Sequence, residues 1–419
     1  MFNRLKGTKD IYSNEASIVS YIRKSFEKIS WQYNYKYIET PIIEDYNLFV
    51  RATGETSDIV TKEMYVFKDK GNRMVALRPE GTASTIRAYI ENKINNLDNS
   101  KLYYFGPMFR YERPQKGRYR QFIQGGVELI EKKSVLSNFE IIKLANDFLK
   151  EIKINDFVLE INNLGSFESR NNYINNLKKY FQQYKSQLNE ISKLRLEKNV
   201  LRILDDKEEI EKDFVKQAPK LIDFLTEKEQ KDYEDLLNLL KESGIKFKEN
   251  PYLVRGLDYY TDIVFEFVST SEALGTKSTI LAGGRYDGMI KSFEGPDLGS
   301  IGFAFGVDRL VEIISYNIGK YKEIDNQLQI LAAYINEKER NEILKIVYDL
   351  RKEFNVEFVN SKITIKQLFK LNFKNKPKIL LFKELNSKPN YIKLKFKDKE
   401  IEFEYKNLED FKKKVLEAL

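Results

Sequence analysis

The segment Phe109–Phe122, FRYERPQKGRYRQF, places five cations and one acid around a Pro/Gly turn between two strand-like runs. Before it, Leu102-Tyr103-Tyr104-Phe105 is aromatic and β-prone. After it, Phe122 to Ile130 alternates polar and apolar residues, as a half-buried antiparallel strand does. The two runs predict a hairpin and, with it, an antiparallel sheet. Period two puts Arg110 and Glu112 on one face of the first strand, and Gln124, Gly126 and Glu128 on one face of the second. A cation beside a carboxylate, with polar side chains opposite and a glycine leaving room, has no use in a packed core. It predicts a ligand face, and the cations suit a nucleotide triphosphate.

The chain has 419 residues, long for one core, and two or three domains are expected. Apolar residues make up 42%, enough for folded domains, but no run of about 18 apolar residues offers a membrane span. The N-terminus, Met1-Phe2-Asn3-Arg4-Leu5-Lys6-Gly7, lacks an apolar signal core, so a cytoplasmic location is expected. There is no Cys and no His. That excludes disulfides, thiolate nucleophiles, metal sites of the His/Cys type and Ser-His-Asp triads, and leaves chemistry to Arg, Lys, Asp, Glu, Tyr and the backbone. A net charge of +8 is compatible with a polyanionic partner.

Texture divides the chain. Residues 1–165 hold helical spacing at Glu15 to Trp31, an extended Tyr35 to Glu44 with a proline at Pro41, a helix start near Thr82 and a helix from Phe139 to Ile152. Over 166–248 Lys, Glu, Asn and Leu dominate and glycine almost vanishes, which predicts a helical insertion. Strands and glycines return over 249–320. Residues 326–419 alternate strands (Leu328–Tyr334, Val356–Val359, Lys378–Phe382) with helices (Glu337 to Phe354, Ile363 to Phe373), the pattern of a small α/β domain with a mostly parallel sheet. Lys362, Lys366, Lys370 and Lys374 recur every four residues there, a column of like charge that a phosphate backbone would offset.

Three further clusters lie at strand ends. Gly299 to Leu310, GSIGFAFGVDRL, reads as a small-residue strand turning into a helix, with Arg309 near the helix N-terminus where phosphate is favoured. The others are Arg255-Gly256-Leu257-Asp258-Tyr259-Tyr260-Thr261 and Ala282-Gly283-Gly284-Arg285-Tyr286-Asp287-Gly288. There is no G-x-x-x-x-G-K-[ST] and no strand followed by G-x-G-x-x-G, which argues against P-loop and Rossmann nucleotide sites.

In order, Thr40-Pro41, the Phe109–Phe122 segment and Gly302 to Leu310 resemble motifs 1, 2 and 3 of the class II aminoacyl-tRNA synthetases. The Arg255 and Ala282 segments resemble the histidine signatures of the histidyl-tRNA synthetase family, as do Gly7-Thr8-Lys9-Asp10, Arg78-Pro79-Glu80-Gly81-Thr82 and Arg195-Leu196-Glu197-Lys198-Asn199. The resemblance implies an α+β fold: a six-stranded antiparallel catalytic sheet with flanking helices, a helical insertion and a C-terminal α/β anticodon-binding domain. It implies ATP with Mg2+, L-histidine and tRNA(His) as ligands, ligation through a histidyl-adenylate, and a homodimer with motif 1 at its interface.

Carried over by position, Arg110 would bind the α-phosphate and the histidine carboxylate, Glu112 the adenine side, Phe122 would stack on adenine, and Arg309 would hold the γ-phosphate. Glu80 and Thr82 would take the α-ammonium. Glu128 and Tyr260, with Gln124 and Tyr259 nearby, would read the imidazole, and Arg255 would press on the α-phosphate. Arg113 and Gln115 would meet the tRNA. The chain departs from the family at Ile123, where His is usual, at Asp308, where Glu is usual, and at Lys383-Glu384, where glycine is usual. The alternative is the synthetase-like regulatory subunit of ATP phosphoribosyltransferase, whose members typically lose the C-terminal domain and erode the Arg255 signature; this chain retains both.

Overall fold

Along Gly302-Phe303-Ala304-Phe305 small residues alternate with aromatics, and alternation of this kind separates the core face of the sheet from its open face. The structure, a computed structural model, describes residues 2–55, 57–94, 100–204, 206, 208–253, 259–275, 277–324, 328–384, 387–388, 391–396, 399–404 and 408–418. It divides into two compact units, Met1–Glu323 and Ile324–Leu419.

In the first unit the strands are β1 (Lys36–Tyr37), β2 (Ile43–Asp45), β3 (Tyr65–Lys68), β4 (Met74–Leu77), β5 (Lys101–Phe109), β6 (Gln121–Glu131), β7 (Phe157–Asn163), β8 (Phe247–Glu249), β9 (Thr261–Ser269), β10 (Ser278–Arg285) and β11 (Gly299–Gly306). The helices are α1 (Ser13–Gln32), α2 (Tyr46–Thr53), α3 (Thr82–Glu91), α4 (Val135–Glu151), α5 (Phe167–Gln182), α6 (Glu190–Lys198), α7 (Leu201–Leu204), α8 (Asp213–Lys216), α9 (Glu227–Glu242), α10 (Met289–Ser292) and α11 (Val307–Tyr316). The main sheet has the order β1-β5-β6-β11-β10-β9-β7-β8. Its six inner strands pair antiparallel throughout, as expected, and short β1 and β8 extend the edges as parallel strands. A separate sheet, β2-β4-β3, stands beside it.

On the core face of the main sheet Phe26 of α1, Phe148 of α4 and Phe305 of β11 meet with ring centroids 4.6 to 5.1 Å apart. Each such pair is worth roughly 0.5–1.5 kcal/mol beyond area burial. Gly125 makes room for this cluster, because a Cβ there would lie 2.3 Å from the Phe305 ring. On the opposite face, register lines up Tyr104, Gly126, Ala304, Ala282 and Glu266 in one row and Glu128, Gly302, Gly284 and Val264 in the next. Most of these are Gly or Ala, so this face is a shallow floor.

Residues 166–248 carry α5 to α8 around a core of their own, including Tyr173, Leu177, Phe181, Leu196 and Leu204, while α9 packs against α4. Helices α5, α6 and α9 begin with side-chain caps from Ser166, Asn189 and Thr226, the last reciprocally with Glu229. Glu229 also accepts from Ser166 N at 2.7 Å and Ser169 Oγ at 2.7 Å, which ties α9 to the start of α5. The stretch is helical as expected until β8 returns the chain to the sheet.

In the second unit β12 (Ile330–Ala332), β13 (Val356–Phe358) and β14 (Ile379–Phe382) are parallel, and β15 (Tyr391–Phe396) and β16 (Lys399–Glu404) add an antiparallel hairpin. The sheet is therefore less parallel than the sequence predicts. Helices α12 (Arg340–Leu350), α13 (Ile365–Asn375) and α14 (Leu408–Ala418) complete the unit. The helix predicted over Glu337 to Phe354 begins as a single 3-10 turn and ends at Leu350. Apolar clusters lie on both faces of the sheet, as parallel strands require. Lys366, Lys370 and Lys374 are exposed along α13, with Lys362 just before it.

Candidate active site

The floor of the main sheet opens into a cavity of about 750 Å³. Along β6, Glu128 and Gln124 are four residues apart, and Arg309 follows Gly306, the cross-strand partner of Gln124. Strand rise separates the Glu128 end from the Arg309 end by roughly 13 Å, the length scale of an amino acid joined to a nucleotide.

Glu128 is 1% exposed. It has a place because its partner across β11 is Gly302, where a Cβ would come within 2.0 Å of Glu128 Oε2. Tyr286 Oη donates to Oε2, while Oε1 has no hydrogen-bond donor among the described residues. Burial pushes the Glu128 carboxyl up to about 8, against the pull of Tyr286 and, more weakly, of the nearby Thr82 and Tyr104 hydroxyls. Tyr259 stands 4.6 Å from Tyr260 and 5.6 Å from Tyr286, centroid to centroid, and completes an aromatic wall. Burial raises the Tyr259, Tyr286 and Tyr104 phenols well above their ordinary range, so all three stay neutral donors.

Glu80 caps α3 from the preceding turn, its carboxylate accepting from Thr82 N at 2.7 Å and Ala83 N at 2.8 Å. At 3% exposure burial still raises its carboxyl, in opposition to those two amides. Gln124 Oε1 accepts from Gly81 N at 3.0 Å, fixing the same turn to β6. Gly81 and Gly126 both leave room for the Tyr104 ring, since a Cβ at either would lie within 2.5 Å of it.

Towards the mouth, Arg110 Nε donates to Pro79 O at 2.8 Å and the guanidinium lies 5.5 Å from the Phe122 ring centroid. Glu112 sits between Arg118 at 3.2 Å and Arg110 at 4.0 Å. Strand pairing stops at Phe109, so Arg110 and Glu112 are on the connection and not on a strand face as the sequence predicts. The reason is local: Tyr111 N leaves the ladder to donate to Glu63 O at 2.6 Å. Arg309, in the first turn of α11, donates to Thr279 O.

The cavity thus brings together Glu80, Thr82, Arg110, Glu112, Phe122, Gln124, Glu128, Tyr259, Tyr260 and Arg309. Arg113 and Gln115 lie on the exposed tip of the connection and do not line it. Arg255 falls outside the described residues. The sequence reading missed Tyr286, Glu266 and Lys277 as cavity residues, and Tyr104, whose ring fills the room left by Gly81 and Gly126. Tyr286 sat inside a quoted motif, and Tyr104 shares the strand-face period of the hairpin; those were the signals that could have found them. With acids and a glycine floor at one end and cations at the other, the cavity can seat an amino acid against a polyphosphate.

Comparison with known proteins agrees with this geometry. A family model described as Histidyl-tRNA synthetase matches residues 7–310. A curated protein of Mycoplasmopsis pulmonis named histidine--tRNA ligase is 44% identical over 420 residues, covering 99% of each chain. One of the same name from Dictyoglomus thermophilum is 41% identical over 414 residues, covering 98% of this chain and 99% of that one. Among solved structures, apo S. aureus histidyl-tRNA synthetase superposes with a TM-score of 0.81 at 31% identity over 100% of both chains. A Bacillus halodurans protein described as an ATP phosphoribosyltransferase regulatory subunit/histidyl-tRNA synthetase reaches 0.65 at 21% identity over 91% of this chain and 98% of that one, a likeness of fold alone.

Proposed function

This chain belongs to the histidyl-tRNA synthetase family and is an aminoacyl-tRNA ligase for histidine, and we propose that the glycine-floored cavity of its first unit carries out the chemistry. L-Histidine and ATP form histidyl-adenylate there, and the histidyl group then passes to the 3′ end of tRNA(His), releasing AMP. In the first step a histidine carboxylate oxygen bonds to the α-phosphorus and the bond to pyrophosphate breaks. The carboxylate is already a nucleophile, so no general base is needed, which suits a chain without His. The barrier is the approach of two anions, and fixed cations lower it.

Arg110 serves the α-phosphate and the histidine carboxylate, Glu112 the adenine side, Phe122 the adenine face and Arg309 the γ-phosphate. Arg255 acts on the α-phosphate by family position. Glu80 and Thr82 take the α-ammonium, Gln124, Tyr259 and Tyr260 shape the imidazole seat, and Arg113 and Gln115 meet the tRNA. The observation that carries the reading is the buried Glu128 Oε1 at the closed end of the cavity, an acceptor that makes no hydrogen bond with any donor among the described residues. An imidazole N–H supplies that donor, and a site built to hydrogen-bond a polar side chain rejects apolar analogues by roughly 10⁴–10⁵.

Magnesium accompanies the triphosphate. Bound with the triphosphate, the ion would be held chiefly by phosphate oxygens and water and would offset their charge. Residues 166–248 form the insertion and 326–419 the anticodon-binding domain, with the exposed lysines of α13 facing RNA. Tyr37, Ile42 and Ile43, exposed around Thr40-Pro41, form part of a homodimer interface. The protein works in the cytoplasm, and no helix among the described residues is long and apolar enough to cross a membrane.

The test is amino-acid-dependent pyrophosphate exchange with all twenty amino acids: exchange with histidine alone is expected. Exchange with none, or with another amino acid, sinks the assignment. Arg255→Ala should cut the exchange rate severely while circular dichroism stays unchanged; a wild-type rate would remove Arg255 from the mechanism.

A further inference from the structure

Asp308 is an unexpected wall for a polyphosphate site. It lines the cavity in the first turn of α11, next to Arg309, and is only 6% exposed. A carboxylate there repels phosphate oxygens and competes with them for Arg309.

Lys9 answers that charge. Its ammonium pairs with Asp308 Oδ1 at 2.7 Å and with Glu15, and lies 4.4 Å from the ring centroid of Tyr119, another wall of the cavity. Burial disfavours the charge on Lys9, but the two carboxylates more than restore it. The segment that delivers Lys9 is fixed independently of this pair. Arg120 N donates to Gly7 O at 2.7 Å, and Gly7 holds φ at +86° with so little room that a Cβ would come within 2.7 Å of the Arg120 side chain. The N-terminal strap is therefore tied to the hairpin connection on one side and to α11 on the other.

We propose that Lys9 is a positioning residue for ATP: it neutralises Asp308 and holds Tyr119, so that the seat beside Arg309 presents net positive charge to the triphosphate. This rests on the reading that Arg309 faces the triphosphate. A purely structural strap would make the two charges matter only as a pair that holds the fold. An electrostatic one makes the loss of Lys9 harmful because Asp308 remains, and therefore reversible by removing the Asp308 charge as well.

The experiment compares wild type, Lys9→Met, Lys9→Arg and the double variant Lys9→Met/Asp308→Asn, reading ATP binding by titration calorimetry and KM for ATP and for histidine in pyrophosphate exchange. Lys9→Met should weaken ATP by about tenfold to a hundredfold, since truncation leaves the partner charge buried and unpaired. Its KM for histidine should stay within about threefold, and Lys9→Arg should resemble wild type. The double variant should recover most of the ATP affinity. A double variant as weak as Lys9→Met, an unimpaired Lys9→Met, or parallel losses for both substrates would each overturn the proposal. If Lys9→Met fails to fold by circular dichroism, the double variant decides: folded with near wild-type ATP binding supports the proposal, folded with weak binding refutes it. Wild-type protein that shows no histidine-dependent exchange would defeat the assigned function instead, and ATP calorimetry would still judge Lys9.

Discussion

Replacing Gly302 with alanine should damage histidine recognition and leave ATP almost untouched. The new Cβ would lie 2.0 Å from Glu128 Oε2 and 2.3 Å from the carbonyl oxygen of Val127. The carbonyl is held in the β6–β11 ladder and clears only by a backbone shift, while the carboxylate must retreat as well, by about 1.4 Å to regain a 3.4 Å contact. A retreat of that size breaks the bond from Tyr286 and moves Oε1 away from the imidazole. A lost hydrogen bond to a charged group is worth roughly 1.5–3 kcal/mol, which at about 1.4 kcal/mol per decade is tenfold to a hundredfold in affinity. Overpacking should add a loss of about 1–3 kcal/mol in stability. The assay is pyrophosphate exchange with histidine and ATP varied separately, alongside urea unfolding. A folded Gly302→Ala with an unchanged KM for histidine would show that Glu128 does not read the imidazole.

The Glu128 carboxyl, pushed to about 8 by burial, should shape the pH profile. Free imidazole titrates near 6.5, so the pair shares one proton between about 6.5 and 8, and KM for histidine should be lowest there and rise on either side; in Glu128→Gln the alkaline rise should vanish. Because the folded-state value exceeds the unfolded one, the native state holds the extra proton, and stability without ligand should fall as pH climbs from about 4.5 to about 8 and then level off. A thermal-melt series matched against Glu128→Gln checks this, and equal slopes would count against it. Arg309→Ala should lower the adenylation rate by about 10²–10³ in single turnover, as loss of a fixed transition-state donor does; a wild-type rate would place the γ-phosphate elsewhere. Glu229→Gln should cost about 1–3 kcal/mol in urea unfolding at pH 7 by weakening the amide and hydroxyl bonds that join α9 to α5. Those bonds hold the Glu229 carboxyl at about 2, so its contribution should be present above pH 4.5 and disappear on acidification towards 2.

Periodicity carried much of the fold. The antiparallel hairpin around Phe109–Phe122, the glycine-poor helical stretch and the strand–helix alternation of the second unit follow from spacing, because each is a repeated local choice, whereas the six-stranded extent of the main sheet came from the family resemblance. The missed elements lack repetition or contrast. β8 is three residues long, and β15 and β16 alternate apolar residues with Lys and Glu, which reads as a solvated surface until the two strands pair. In the site, the hairpin face of Gln124 and Glu128 was legible from period two. Arg110 and Glu112 left their expected strand because the amide between them, Tyr111 N, donates to a tertiary acceptor, Glu63 O, in place of the ladder. Tyr286 could not be linked to Glu128 from spacing, since the two meet only through register between β6, β11 and β10. The partnership of Lys9 with Asp308 was likewise invisible, although both positions had been singled out separately.

The near-absence of side chains on the cavity floor also bears on how this protein can change over generations. At Gly126 and Gly302 the added methyl would meet backbone carbonyl oxygens at 2.8 Å and 2.3 Å, at Gly284 another at 2.5 Å, so single substitutions at those codons lead away from a working enzyme. Acceptance of a different amino acid would have to begin at the walls, at Thr82, Gln124 or Tyr259, and each such step would meet Glu128, whose buried carboxyl penalises any side chain without a donor. Selectivity for histidine is therefore entrenched by the backbone geometry beneath it, and drift can alter the outer surface of the chain extensively while leaving this inheritance intact.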